Sequence, residues 1–358
     1  LGLCRFSGAG FFIDMKGKSD RYSRQVLFEG IGESGQRRIG AARVVLIGCG
    51  ALGTVIANNL ARAGVGHLTV IDRDFVEESN LQRQVLFDEE DVRNSLPKAA
   101  AAEKKLRQIN SQIEIKGIVT DVSYANIEDL VREATLVMDG SDNFETRFLV
   151  NDACVKHGIP WFYGACVGSY GLSMVILPRE TPCLRCIFET APPPGMSPTC
   201  DTSGIIAPIV NIIASFQCME AIKLLTGATD KLNRDLLSMD VWDDRFERFK
   251  IQGRRELADC PCCVHNRYDF LSAGGASQTT TLCGRNSVQI SFPQGQKINF
   301  KEVRERLAKV GKVTSNPFLL RCALEGYDMT LFKDGRAIIE GTKDPTVAKN
   351  VYAKYIGL

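Results

Sequence analysis

The chain has 358 residues, 44% of them hydrophobic and 24% charged, and a formal net charge of +2. That is room for one large α/β domain and a small second one, with no overall field to draw nucleic acid or a membrane surface. Thirteen cysteines in a chain of this length argue against a small disulfide scaffold and for thiols acting as metal ligands or nucleophiles in a reducing cytoplasm. No apolar run is expected to reach the ~20 residues that span a bilayer. Residues 1–14 carry Arg5 as their early positive charge and no cleavage pattern. They read as a start-site artefact, and 1–20 is left as an N-terminal tail.

The first element is a β-branched run at 43–47 that feeds Gly48-Cys49-Gly50-Ala51-Leu52-Gly53, followed by an apolar helical pattern at 54–63. Gly64 and Gly66 stop that helix, and a strand at 67–71 ends in Asp72. Then come a helix at 97–109, a strand at 114–119, a short helix at 127–133 and a strand at 136–138 ending at Asp139. Strands alternating with helices predict a parallel sheet covered on both faces, with ligands at the carboxyl ends of the strands. Ala191-Pro192-Pro193-Pro194-Gly195 reads as a surface loop, 207–226 as an apolar helix ending at Gly227, and 237–249 as two strands around a turn at Asp243-Asp244. Residues 272–281, rich in Gly, Ser and Thr, read as a linker. Beyond them, 282–358 reads as a separate α+β unit: a strand at 287–292, a helix at 300–310, three strands through Ile339 with a turn at Lys333-Asp334-Gly335, and a helix at 345–355.

Gly48, Gly50 and Gly53 suit a tight turn, close approach of backbone to a phosphate, and close helix–sheet packing, while the helix N-terminus offers unpaired N–H groups to an anion. Asp72, 19 residues after Gly53, is placed for a ribose hydroxyl. Alone, this pattern fits an NAD-linked oxidoreductase equally well. Its company is more particular: Arg21-Tyr22-Ser23-Arg24-Gln25, Asp72-x-Asp74, Ser79-Asn80-Leu81-Gln82-Arg83-Gln84, Pro97-Lys98 and Asp139-x-x-Asp142-Asn143-x-x-x-Arg147 follow in order. Across residues 21 to 265 the chain thereby resembles MoeB, ThiF and HesA proteins, bacterial relatives of ubiquitin-activating enzymes.

The resemblance implies a Rossmann-like, mostly parallel sheet with helices on both faces. It also implies ATP- and Mg²⁺-dependent adenylation of the C-terminal glycine carboxylate of a small ubiquitin-like sulfur carrier protein ending in Gly-Gly. Such carriers serve molybdopterin or thiamin synthesis. That reaction brings two anions together, so cations must sit where negative charge develops. Arg24, Arg83 and Lys98 suit this work. Asp72 and Asp74 would serve the ribose side, Asn80 would orient the phosphates, and Asp142 would hold Mg²⁺. In the resembled family the arginine matching Arg24 reaches the ATP of the partner subunit, which implies a homodimer. An activating enzyme for a tRNA base is a rival that the charge balance of the main domain disfavours.

Cys183-Leu184-Arg185-Cys186 and Cys260-Pro261-Cys262-Cys263 place two C-x-x-C pairs 74 residues apart, where the family binds Zn²⁺. Cys183, Cys186, Cys260 and Cys263 are the expected ligands, with Cys262 as a competitor. Cys200 stands where ThiF-like enzymes carry a reactive thiol that bonds the activated carrier; MoeB-like ones adenylate without it. Cys49, Cys154, Cys166 and Cys218 read as packing residues. From residue 279 onward there are 13 Lys and Arg against 7 Asp and Glu. The element order there resembles half of a TATA-binding-protein-type saddle, and the unit reads as a docking module for the carrier or another partner. Ending in Ile356-Gly357-Leu358, the chain reads against a carrier fused in cis.

Overall fold

The computed structural model describes residues 20–188, 203–251, 259–272, 279–281, 286–290 and 299–356. The loop at 191–195, Cys200 and Cys283 fall outside them. Five strands, β1 Arg43–Ile47, β2 His67–Asp72, β3 Glu114–Val119, β4 Leu136–Asp139 and β5 Trp161–Val167, form a parallel array in the order β3-β2-β1-β4-β5. Three more, β6 Tyr170–Ile176, β7 Leu236–Asp240 and β8 Arg245–Phe249, extend it antiparallel. Leu46, Leu68 and Val70 pack with Ile56, Leu60 and Ile213 on one face, while Val45, Ile47, Trp161 and Tyr163 pack with Phe148 and Val150 on the other. Burial on both faces is why these strands are continuous apolar runs. The strand order reverses beside β1, which opens a crevice at the carboxyl ends of β1, β2 and β4.

Two expectations change here. The chain does contain a helix long and apolar enough, by length and composition, to cross a membrane: Ala207–Thr226, 20 residues, the only such helix among those described. Its position accounts for its composition. Ile209, Ile213 and Ala221 are fully buried, and Gln217 Nε2 donates to the carbonyls of Asp139 and Phe162 at 2.9 and 3.0 Å. It is the central helix of one sheet face.

The second change concerns the C-terminal region. Residues Thr279–Thr281, the end of the expected linker, form β9, which pairs with β10 Ser287–Ile290. Four strands rather than three separate the helices Phe300–Leu307 and Pro345–Tyr355: β11 Lys312–Ser315, β12 Leu319–Leu324, β13 Tyr327–Phe332 and β14 Ala337–Glu340. The result is an antiparallel sheet in the order β11-β12-β13-β14-β10-β9. Leu320, Cys322, Met329, Leu331 and Ile339 face the two helices. The alternate residues Leu319, Phe332 and Ile338 pack on Phe75 of the large domain, with Val119 against them. Both faces of the small sheet are therefore covered.

Candidate active site at the glycine turn

Gly48 has φ +90°, and a Cβ there would lie 2.6 Å from the carbonyl carbon of Gly140. A Cβ on Gly53 would lie 2.0 Å from the carbonyl oxygen of Gly48. These two glycines are required by the fold itself. Gly50 differs: it precedes the helix Ala51–Ala63, and the nearest atom to a Cβ there is Gln84 Nε2 at 3.9 Å. The space above Gly50, at the positive end of a 13-residue helix, is open, as an anion site requires.

Asp72 ends β2 and is tied to this turn: its Oδ2 accepts from the Cys49 N–H at 2.6 Å and its Oδ1 from the Asp74 N–H at 2.7 Å. Burial pushes its carboxyl up, with Lys98 pulling the other way. Lys98, 5% exposed, begins the helix Lys98–Ile109 and meets Asp74 twice. Its N–H donates to the Asp74 carbonyl at 2.8 Å and its Nζ lies 3.3 Å from Asp74 Oδ2. Asn80 is buried and shapes its own turn, its Oδ1 accepting from the Glu77 N–H at 3.3 Å. Arg83 is half-buried and donates from Nη1 to the Ser79 carbonyl at 2.9 Å.

Asp142 is exposed just past β4. Its loop is held by a buried pair, Arg147 Nε to Asp139 Oδ2 at 3.1 Å, and by Arg147 Nη2 donating to the Ser141 carbonyl at 2.7 Å. Arg147 is thus a scaffold for the Asp142 loop. Burial works to lower the pKa of Arg73, yet Asp121, Asp74 and Asp142 outweigh it and hold it raised. Gly140, two residues before Asp142, packs against Gly48, and Gln84, next to Arg83, comes nearest to Gly50, so the segment from Asp72 to Lys98 and the Asp142 loop flank the glycine turn.

Arg24 does not join them. It is exposed on the short helix Ser23–Val26. Its neighbour Tyr22 lies against Gly64, just beyond the helix Ala51–Ala63, and Arg21 Nη1 donates to the Ile109 carbonyl. Both contacts are at the C-terminal ends of helices whose N-termini border the crevice. At 1.5 Å per residue, 13 residues put Arg24 about 20 Å from the glycine turn of its own chain.

Two features escaped the sequence reading. Gln84 borders the space over Gly50 through its Nε2, and its Oε1 is buried without a hydrogen-bond partner among the described residues. It was within the quoted motif but given no role. The other is a cleft of about 740 Å³ between the domains, lined by Glu77, Ser79, Asn80 and Arg83 on one side and Tyr327, Asp328 and Glu340 on the other. No local sequence signal announces it.

The four expected cysteines converge: Cys183 Sγ lies 3.9 Å from Cys186 Sγ and 3.7 Å from Cys260 Sγ, and Cys186 Sγ lies 3.4 Å from Cys263 Sγ. Four sulfurs at ~2.3 Å from one zinc would stand roughly 3.8 Å apart, so the set fits a closed tetrahedral site. Cys262 stands outside the set of four and accepts from Asn151 Nδ2 at 3.3 Å. Cys49, Cys154 and Cys218 are buried; burial pushes the Cys218 thiol up to about 12, which suits packing rather than chemistry. Cys166 is half-buried.

Comparison with known proteins agrees with this geometry. The ThiF family profile matches residues 22–262. A sulfur carrier protein ThiS adenylyltransferase of Bacillus subtilis is 48% identical over 338 residues, 94% of this chain and 99% of that protein. A SAMP-activating enzyme E1 of Haloferax volcanii is 39% identical over 70% of this chain and 91% of its own. Among solved structures, E. coli MccB shares the fold, with a TM-score of 0.58, 23% identity, and coverage of 70% of this chain and 73% of that one. With two thirds of its length matched by the family profile and a relative 48% identical over 94% of it, the chain belongs to the ThiF family.

Proposed function

We propose that the protein adenylates the C-terminal carboxylate of a small sulfur carrier protein, using ATP. The observation that carries this is the open space over Gly50, bordered by Gln84 Nε2 at 3.9 Å. Lys98 joins Asp74 beside the Asp72 turn, Arg83 adjoins Gln84, and Asp142 follows Gly140, which packs against Gly48. A triphosphate laid on the helix N-terminus would meet unpaired N–H groups and two cations, and the ribose would lie toward Asp72. One oxygen of the carrier carboxylate attacks the α-phosphorus, a P–O bond to that oxygen forms, and the bond to the β-phosphate bridging oxygen breaks. Pyrophosphate leaves with the bonding pair. Lys98 and Arg83 oppose the charge that builds on the phosphoryl oxygens.

Asp142 has the donor chemistry for Mg²⁺, which would neutralise phosphate charge when bound. The four-cysteine cluster would hold Zn²⁺ as a structural pin, since no coordination position is left over. The distance of Arg24 from its own crevice supports a homodimer in which it serves the partner's site. Trp242, Phe246 and Phe249 are exposed along the β7–β8 hairpin, apolar side chains available to a protein substrate.

The deciding experiment is ATP–pyrophosphate exchange with a panel of Gly-Gly-ended carriers. Exchange that depends on one carrier is the expected result; no exchange together with tight NAD binding would overturn the proposal. Mass spectrometry of the same mixtures, with Cys200→Ala alongside, would reveal whether a covalent carrier adduct forms at Cys200.

A further inference from the structure

The small C-terminal domain seats one face of its sheet on the segment between Asp72 and Lys98, the stretch read above as the nucleotide segment. At the front of that segment four residues close a ring, two from each domain. Arg336 Nη2 donates to the Arg73 carbonyl at 2.6 Å, and its Nη1 lies 3.4 Å from Gln289 Oε1. Gln289 Nε2 donates to Asp121 Oδ2 at 2.6 Å, and Asp121 Oδ1 accepts from Arg73 Nη1 at 2.9 Å. Arg336 is 2% exposed and Gln289 fully buried. The ring includes Arg73, the residue between Asp72 and Asp74.

The next residue is held as well. Phe75 packs under Leu319, Phe332 and Ile338, with the Arg321 guanidinium 3.9 Å over its ring. Phe75 in turn bridges, backbone to backbone, to Pro97, the residue before Lys98. At the rear, Asn316 Nδ2 donates to the carbonyls of Asn94 and Ser95 at 3.1 and 2.9 Å. Ser95 has φ +47°, a conformation a non-glycine residue keeps only when its surroundings hold it.

We propose that the small domain is a positioning element for adenylyl transfer, with Arg336 as its principal positioning residue, fixing Asp72, Asp74 and Lys98 through Arg73 and the Phe75–Pro97 bridge. This rests on the nucleotide reading of the segment. It departs from the expectation that the module docks the carrier: the surface it buries lies on the segment that carries Asp74 and leads to Lys98. Arg336 touches no reacting atom and acts through the backbone at Arg73.

The test uses full-length Arg336→Met, Gln289→Leu, Arg336→Lys and Asn316→Ala, with Val303→Ala as a control inside the small domain's helix-facing core. ATP and carrier KM and kcat are measured by pyrophosphate exchange, and ATP affinity by calorimetry without carrier. Arg336→Met and Gln289→Leu are expected to weaken ATP usage by about tenfold or more, as small misplacements of catalytic groups do, with carrier KM unchanged. Arg336→Lys, which keeps a donor for the Arg73 carbonyl, recovers part of the loss. Val303→Ala lowers the melting temperature and leaves ATP parameters alone. Asn316→Ala, which removes the two bonds to Asn94 and Ser95 together with the two that Asn316 Oδ1 accepts from the Phe318 and Leu319 N–H groups, repeats the ATP effect in weaker form and decides the matter should Arg336→Met fail to fold. Wild-type ATP parameters in these variants, or a rise in carrier KM instead, would overturn the inference. If the wild type shows no carrier-dependent exchange, the functional reading fails, and ATP affinity across the same variants still judges the positioning role.

Discussion

The glycines show how residues of one type divide between folding and binding. Gly53→Ala would push a methyl against the Gly48 carbonyl at 2.0 Å, and should destabilise the large domain by roughly 1–3 kcal/mol, seen as a lower midpoint in thermal or urea unfolding. Gly50→Ala meets only Gln84 Nε2 at 3.9 Å. It should unfold like the wild type yet bind ATP more weakly in a titration, since the methyl enters the space reserved for phosphate. A reversed pattern would remove Gly50 as the phosphate floor. The glycine turn and Asp72 were legible from the spacing of a local strand–turn–helix unit, whereas Lys98 and Asp142 stood out only through the resemblance to the family. Arg73, Asp121 and Gln289 were not legible. Their contacts join positions 48 and 168 residues apart, and nothing in the local pattern marks an arginine or a glutamine that will be buried against another domain.

At the level of elements, the knuckles around Cys183–Cys186 and Cys260–Cys263 pin two distant stretches under one sheet face. Arg185 adds to this, its Nη2 3.0 Å from Asp269 Oδ2 and its guanidinium stacked over Phe270 at 5.4 Å. Metal analysis should find one zinc per chain, retained in Cys262→Ala and lost in Cys263→Ala. Chelation should lower the unfolding midpoint, because metal binding at such a site is folding free energy. Zinc lost equally from both variants would put Cys262 in the ligand set. The parallel strands were legible from their apolar runs, and the helix Ala207–Thr226 from its apolar composition and the glycine that ends it. β5 and β6 were passed over: Gly164, Gly168 and Gly171 interrupt the pattern. Gly168, at φ +59°, is the residue that turns β5 into β6. β11 was missed because Lys312, Thr314 and Ser315 leave Val313 as its one apolar side chain, too little for an alternation signal.

For the whole molecule, the placement of Arg24 some 20 Å from its own glycine turn yields a complementation experiment. Arg24→Ala and Lys98→Ala should each be nearly inactive alone. Mixed and allowed to exchange subunits, they should regain roughly a quarter of wild-type exchange, because half of the dimers are mixed and each mixed dimer has one intact site. No recovery, with mixed dimers verified by mass, would place Arg24 outside the partner's site. The ring that joins Arg336, Arg73, Asp121 and Gln289 has a further consequence by reciprocity. If seating the small domain strengthens ATP binding, ATP must strengthen the seating by the same factor. Saturating ATP should therefore slow amide hydrogen exchange at Gln289, Asn316 and Ile338, none of which belongs to the proposed nucleotide crevice. The nucleotide would then hold the two domains together as a molecular staple, making the closed pair most durable when the enzyme is loaded.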